Sequence, residues 1–259
     1  MYACMIFLLL TQETKMIGVM GAMEVEVELI DDVMKIERID TIGMKTYKIG
    51  SIFDVPCVLA EAGVGKVAST QTAQTFIMGY GVELIIFTGV AGGINPVLEV
   101  GDIVISKEVV HHDFGQILPD SFIPFDTIGF PADSYLIRLA LDAGEKVELV
   151  PVIDEMKIEG RMPEVILGRI ATGDQFISSE AKRLWIERVF NADCVEMEGA
   201  AVAQVCSAYD VPFLIIRSLS DLANEDADID FQTFVVHAAE NSSRLVEEII
   251  RQLARSEDR

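Results

Sequence analysis

The run Met16-Ile-Gly-Val-Met-Gly21, passing through Ala22-Met23 into Glu24-Val-Glu26-Val-Glu-Leu-Ile-Asp-Asp-Val-Met34, decides the fold. Its first half is a short apolar strand, and its second half is an amphipathic, acid-led helix. The same alternation continues along the chain. Strands are expected at Met16–Gly21, Lys45–Ile52, Val55–Glu61, Glu83–Thr88, Asp102–Ser106, Gly168–Thr172, Ala192–Val195 and Pro212–Arg217. Helices are expected at Glu24–Met34, Lys66–Met78, Ala132–Ala143, Ser179–Val189, Gly199–Ala208 and Phe231–Leu253, the last one following the acids Asp228 and Asp230. Strands interleaved with helices predict one α/β domain in three layers, α/β/α, with a mostly parallel, mixed central sheet flanked by helices.

Composition agrees with one large core, since 51% of the 259 residues are apolar and 24% charged. Acids outnumber Lys and Arg by 42 to 20, and the net charge of -22 opposes nucleic acid and anionic lipid as partners. A small neutral or cationic ligand fits better. Cys4, Cys57, Cys194 and Cys206 lack CxxC spacing and read as reduced core thiols of a cytoplasmic protein. No run reaches the ~18 apolar residues of a membrane span. Met5-Ile-Phe-Leu-Leu-Leu10 is apolar like a signal-peptide core, but no Lys or Arg precedes it and no small-residue cleavage site follows. Residues 1–15 are therefore expected to be a disordered extension or to precede a true start at Met16, with the domain spanning 16–259.

Several motifs can be tested against known chemistry. Gly63-Val-Gly65-Lys-Val-Ala68 has GxGxxA form, but the acid about 20 residues on, Glu83, begins the next strand, whereas a ribose-binding acid belongs at that strand's far end. A Walker loop fails because Ala60 and Val67 stand at its defining positions. His111-His112-Asp113 has adjacent side chains that rarely share a metal, and only His237 remains elsewhere, so no metal site is expected. The irregular stretch 111–130 is too long for a mere connection and is the candidate substrate loop.

Carboxylates recur where strands end: Glu24 and Glu26 after the first strand, Glu196 and Glu198 after another, and Asp221 after a third. A second glycine loop, Thr88-Gly-Val-Ala-Gly-Gly93, follows Glu83–Phe87 at the strand end where open α/β sheets hold ligands. Such acids can break a glycosidic bond: one protonated carboxyl drives off the leaving group, another carboxylate activates water, and negative charge favours an oxocarbenium-like sugar. The loop after the first strand carries acids and no Lys or Arg to hold phosphate, and Arg217 is the one base expected at this strand edge, which favours water as the nucleophile.

Met16–Glu26, Ala62-Gly-Val-Gly-Lys66, Thr88–Gly93, Thr172-Gly-Asp-Gln-Phe-Ile177, Val195-Glu-Met-Glu198 and Arg217-Ser-Leu-Ser-Asp221 together resemble, in order, the motifs of the methylthioadenosine/S-adenosylhomocysteine nucleosidases of the nucleoside phosphorylase superfamily. The resemblance implies a nucleoside phosphorylase-like fold and cofactor-free release of adenine and a 5-thioribose sugar from adenine nucleosides in methionine salvage. It implies that Glu26 is the general base and Asp221 the acid that protonates adenine at N7. Glu198 would accept hydrogen bonds from the ribose hydroxyls, Met197 pack beneath the ribose, Phe176 stack on adenine, and the Ile177 backbone read the base edge. Ser220 would position Asp221, Glu196 and Arg217 would be supporting residues, and Met23, Val64 and Val90 fall at substrate-contacting positions. It further implies a homodimer, with the 111–130 loop bordering the partner's site. Two departures stand out: Val90 where the family commonly has Ser, so that only a backbone role can survive there, and Phe114-Gly-Gln-Ile-Leu-Pro-Asp-Ser-Phe122 in place of the usual aromatic segment. A phosphate-dependent phosphorylase of the same fold and a non-catalytic nucleoside-binding protein remain the alternatives.

Overall fold

The computed structural model describes residues 15–151 and 160–257. The expected N-terminal extension, apart from Lys15, and Cys4 with it lie outside the described residues. Along the described chain run β1 (Ile17–Gly21), α1 (Glu24–Val33), β2 (Lys35–Ile42), β3 (Lys45–Ile52), β4 (Val55–Glu61), α2 (Lys66–Tyr80), β5 (Leu84–Phe87), β6 (Val90–Gly93) and β7 (Ile103–His111). There follow β8 (Gly115–Leu118), β9 (Ser121–Pro124), β10 (Phe130–Pro131), α3 (Ser134–Gly144), β11 (Val165–Thr172), α4 (Glu180–Phe190), β12 (Cys194–Glu196), α5 (Gly199–Tyr209), β13 (Phe213–Asp221) and α6 (Ala227–Glu257).

The main sheet has the order β10-β7-β11-β12-β6-β13-β5-β1-β4-β3-β2. Its centre, β13-β5-β1-β4, is parallel, and β4-β3-β2 continues as an antiparallel meander. Strands β1, β5 and β13 are buried along their whole length, which is why they read as unbroken apolar runs and not as alternating ones. Helices cover both faces: α2 packs on α5, while α1 and α3 pack on α6. The three-layer α/β architecture expected from the sequence is the one observed.

One feature of the topology shapes the ligand end. β13 is nine residues long and changes neighbours along its length, pairing with β5 through Phe213–Ile215 and with β6 through Ser218–Asp221. Its middle also pairs antiparallel with β7, so β7, β11, β12, β6 and β13 close into a ring of five strands. In that ring Gly92 of β6 faces Val195 on one side and Asp221 on the other. Two distant acid-bearing segments, Val195–Glu198 and Ser218–Asp221, are thereby fixed beside one another.

The differences from the expected elements have physical causes. Val90–Gly93 reads as a glycine loop, yet it is a strand because β12 and β13 supply partners on both sides. β2 is solvent-exposed along almost all of its length and so lacks an apolar face to betray it; it is joined to β3 through Gly43 and Met44, both at positive φ, the geometry of a two-residue hairpin turn. Within 111–130 the chain forms the β8–β9 hairpin and the short β10 in place of an irregular loop. The last helix begins at Ala227, so Asp228 and Asp230 stand in its first turn, still where they complement its N-terminal dipole. Cys57, Cys194 and Cys206 are buried free thiols, as read from sequence.

Candidate active site

A cleft opens at the carboxyl ends of β1, β12 and β13 and is lined by Met23, Glu26, Val64, Val90, Phe176, Ile177, Glu196, Met197, Glu198, Ser220 and Asp221. Of the residues the resemblance places at the site, all lie on it except Arg217, which is buried beneath it; Glu24, the other acid after the first strand, is exposed and lies outside the cleft. Ala22, Gln175 and Phe231 also line it. Phe231 escaped the sequence reading because an aromatic in the first turn of a long amphipathic helix reads as core; here it meets Phe176 edge-on, ring centroids 5.7 Å apart.

Glu26 stands in the first turn of α1 and turns back on its own helix entrance. One carboxylate oxygen accepts the backbone N–H groups of Ala22 at 2.6 Å and Met23 at 2.9 Å, and the other accepts the N–H of Val90 at 2.9 Å. The Val90 backbone N–H is thus spent on Glu26, while its side chain packs among Met23, Phe231, Ala238 and Ala239. Glu26 is only 2% exposed. Burial raises its affinity for a proton, opposed by Arg217 and the three N–H donors. The result is a fixed carboxylate suited to accept a proton from a bound molecule.

Asp221 ends β13. Its oxygens accept the N–H of Ala223 at 2.8 Å and the Ser220 hydroxyl at 2.9 Å. Burial pushes its pKa up to about 6, against the pull of both hydrogen bonds. A carboxyl tuned there can hold and deliver a proton near neutral pH.

Glu198 is the residue before α5, and its Oε1 accepts the N–H of Gly65 at 2.7 Å. Burial first, and then the neighbouring Glu196, push its pKa up to about 8. Glu196 lines the cleft but its carboxylate is taken up by the protein: it accepts from Arg217 Nη2 at 2.5 Å, from the N–H groups of Glu198 and Gly199, and from the Thr172 hydroxyl. It is a hub that ties α5, β11 and β13 together. Arg217, stacked 4.2 Å from the Phe87 ring centroid, lies within 3.5 Å of Glu198 and makes its strongest bond to Glu196. Its charge is already matched before any ligand arrives. Gly89 is required here, since a Cβ would lie 2.6 Å from Glu26 Oε1 and collide with Arg217 Nη1.

Among the described residues no His, Cys, Asp and Glu group could hold a metal, and no helix is long and apolar enough to cross a membrane.

The family model of the phosphorylase superfamily matches residues 16–251. The chain belongs to that superfamily. Within it, the similarity is to nucleosidases. A 5′-methylthioadenosine/S-adenosylhomocysteine nucleosidase of Mycobacterium bovis is 35% identical over 89% of this chain and 94% of its own. An aminodeoxyfutalosine nucleosidase of Campylobacter jejuni is 39% identical over 89% of this chain and 96% of its own. Among solved structures, the 5′-methylthioadenosine/S-adenosylhomocysteine nucleosidase of Neisseria meningitidis in complex with methylthio-immucillin-A superposes with a TM-score of 0.79 at 34% identity, covering 92% of this chain and 99% of that one. The superfamily, fold and nucleosidase resemblance read from the sequence are borne out.

Proposed function

We propose that this protein is an N-glycosyl hydrolase that cleaves the N-ribosidic bond of 5′-methylthioadenosine and S-adenosylhomocysteine, releasing adenine and a 5-thioribose sugar. In this reading Asp221 gives its proton to the purine as the C1′–N9 bond breaks, so adenine leaves neutral. Glu26 takes a proton from water, whose oxygen bonds to C1′. Glu198 accepts the ribose hydroxyls, Phe176 and Ile177 hold the base, and Met23, Val64, Met197 and Phe231 supply the apolar wall about the sugar and its 5′ substituent. Negative charge around the sugar favours the cationic transition state.

The observation that carries hydrolysis over phosphorolysis is that Arg217, the one guanidinium among Glu26, Glu196 and Glu198, is already bonded to Glu196 and lies 3.5 Å from Glu198. A phosphate dianion would find no unmatched cation there, whereas a neutral water needs none. We further propose that it works in the cytoplasm as a homodimer. A largely apolar groove between α2, α5 and the segment around Phe114 and Phe130, including Val67 and Ala201, is the surface a second copy would cover; light scattering would show a single species of twice the chain mass.

The test is adenine release from methylthioadenosine, S-adenosylhomocysteine and aminodeoxyfutalosine by the wild type and by Asp221→Asn. The proposal expects turnover by the wild type and loss of turnover with retained binding in the variant. Equal behaviour of the two proteins, binding without release, would make the protein a nucleoside-binding module.

A further inference from the structure

The reaction leaves the whole His111-His112-Asp113 run unused, and Asp113 is its charged member. It follows β7, with a side chain only 14% exposed. Its Oδ1 accepts Lys66 Nζ at 2.7 Å, and its Oδ2 accepts the backbone N–H of Asp174 at 2.8 Å. The Asp174 carboxylate in turn accepts the backbone N–H of Lys66 at 2.8 Å. Three residues distant in sequence therefore close a ring of hydrogen bonds in which every bond is charge-assisted.

The ring sits between the two loops that face each other across the cleft. Lys66 follows Val64 and Gly65, and the Gly65 N–H is held by Glu198. Asp174 precedes Gln175, Phe176 and Ile177 on the base side. Gly65 adopts φ +95°, and a Cβ there would lie 3.1 Å from Asp174 Oδ1, so the close approach of the two loops depends on its being glycine. Beneath the ring, buried His112 donates its backbone N–H to Thr172 at 2.8 Å, and its imidazole fills the space that a side chain at Gly173 would need. Burial works to raise the pKa of Asp113, yet the bonds from Lys66 and Asp174 bring it below the ordinary carboxylate value, as expected of an ionised acceptor at the centre of the ring.

We propose that Asp113 is a positioning residue for the nucleosidase reaction, closing a latch with Lys66 and Asp174 that sets the ribose-side and base-side loops at their working separation. The inference rests on the reading of the cleft as a nucleoside site. Loops ordered beforehand need not be ordered by the substrate, so the latch acts on affinity and leaves the chemical step to Glu26 and Asp221.

The experiment compares wild type, Asp113→Ala, Lys66→Met and the double variant in two measurements. Backbone hydrogen exchange, without substrate, is expected to speed up about tenfold in Asp113→Ala at residues 63–66 and 173–177, and little elsewhere. With methylthioadenosine, KM is expected to rise about tenfold with kcat within about threefold, and the double variant to be little worse than either single one, as for residues acting through one contact. Unchanged exchange at both loops, exchange raised evenly over the chain, or a fall in kcat at constant KM would overturn the latch. The exchange measurement needs no turnover, so failure of the nucleosidase reading and failure of the latch are separately visible.

Discussion

Arg217 and Glu196 meet at 2.5 Å with both side chains 1% exposed, at the base of the cleft and out of contact with its opening. A guanidinium so placed must be paired to be tolerated, and here the pair also fixes the N-terminus of α5, where Glu198 begins. Arg217→Met would leave Glu196 buried without its partner. The expected cost is about 3–5 kcal/mol of stability, read by urea unfolding. A loss below about 1 kcal/mol would mean that the backbone N–H donors alone suffice for Glu196.

Glu26→Gln keeps the shape of the side chain and removes its basicity. A drop in kcat of about 10²- to 10⁴-fold is expected for a lost general base, with nucleoside affinity changed far less. Calorimetric binding alongside adenine release would separate the two. Because Glu26 accepts three backbone N–H groups and Gln offers one acceptor oxygen, a stability loss of about 1–3 kcal/mol should accompany it.

Asp221 must carry a proton to act as the acid, and its pKa is held at about 6. The kcat/KM profile is therefore expected to fall as pH rises through about 6. The Ser220 hydroxyl stabilises the ionised carboxylate, so Ser220→Ala should raise that pKa and move the falling limb to higher pH by up to about one unit. A limb that stays in place would assign it to another group.

Fold and site differ in how much of each is legible in the sequence. Buried parallel strands such as β5 and β13 announce themselves as apolar runs, and the polar residues ending them mark the site because nothing in a core explains Arg217, Ser220 and Asp221. The exposed β2 and the paired glycines of β6 were not legible, since one lacks an apolar face and the other owes its form to neighbours far away in sequence. The ring closure through β7 and β13, and with it the juxtaposition of Val195 and Asp221 across Gly92, is tertiary and has no local signal. Glu196 illustrates the same limit: the resemblance makes it and Arg217 supporting residues, but only the packed structure shows that it is bonded to Arg217 and Thr172.

Glu198 and Asp221 both have folded pKa values above the ordinary carboxylate range. Carboxyls that hold protons more tightly when folded stabilise the fold below their unfolded pKa, and this contribution is lost as pH rises through the folded value. These two groups therefore withdraw stability from the substrate-free protein between about pH 4 and pH 8, each unit of upward displacement being worth about 1.4 kcal/mol, while His112, held down at about 4 by burial, acts in the opposite direction below its ordinary value. Thermal melts of the wild type and Glu198→Gln across that range check it: the variant should lose less stability than the wild type as pH rises towards 8, and parallel curves would contradict the assignment.

The central claim is that water, and not phosphate, attacks the sugar. The most direct measurement is methylthioadenosine turnover by the purified protein in phosphate-free buffer and in buffer with phosphate, with the sugar product identified by mass. Attack by water predicts free methylthioribose at the same rate in both. A rate that requires phosphate, with a sugar 1-phosphate as product, would contradict it.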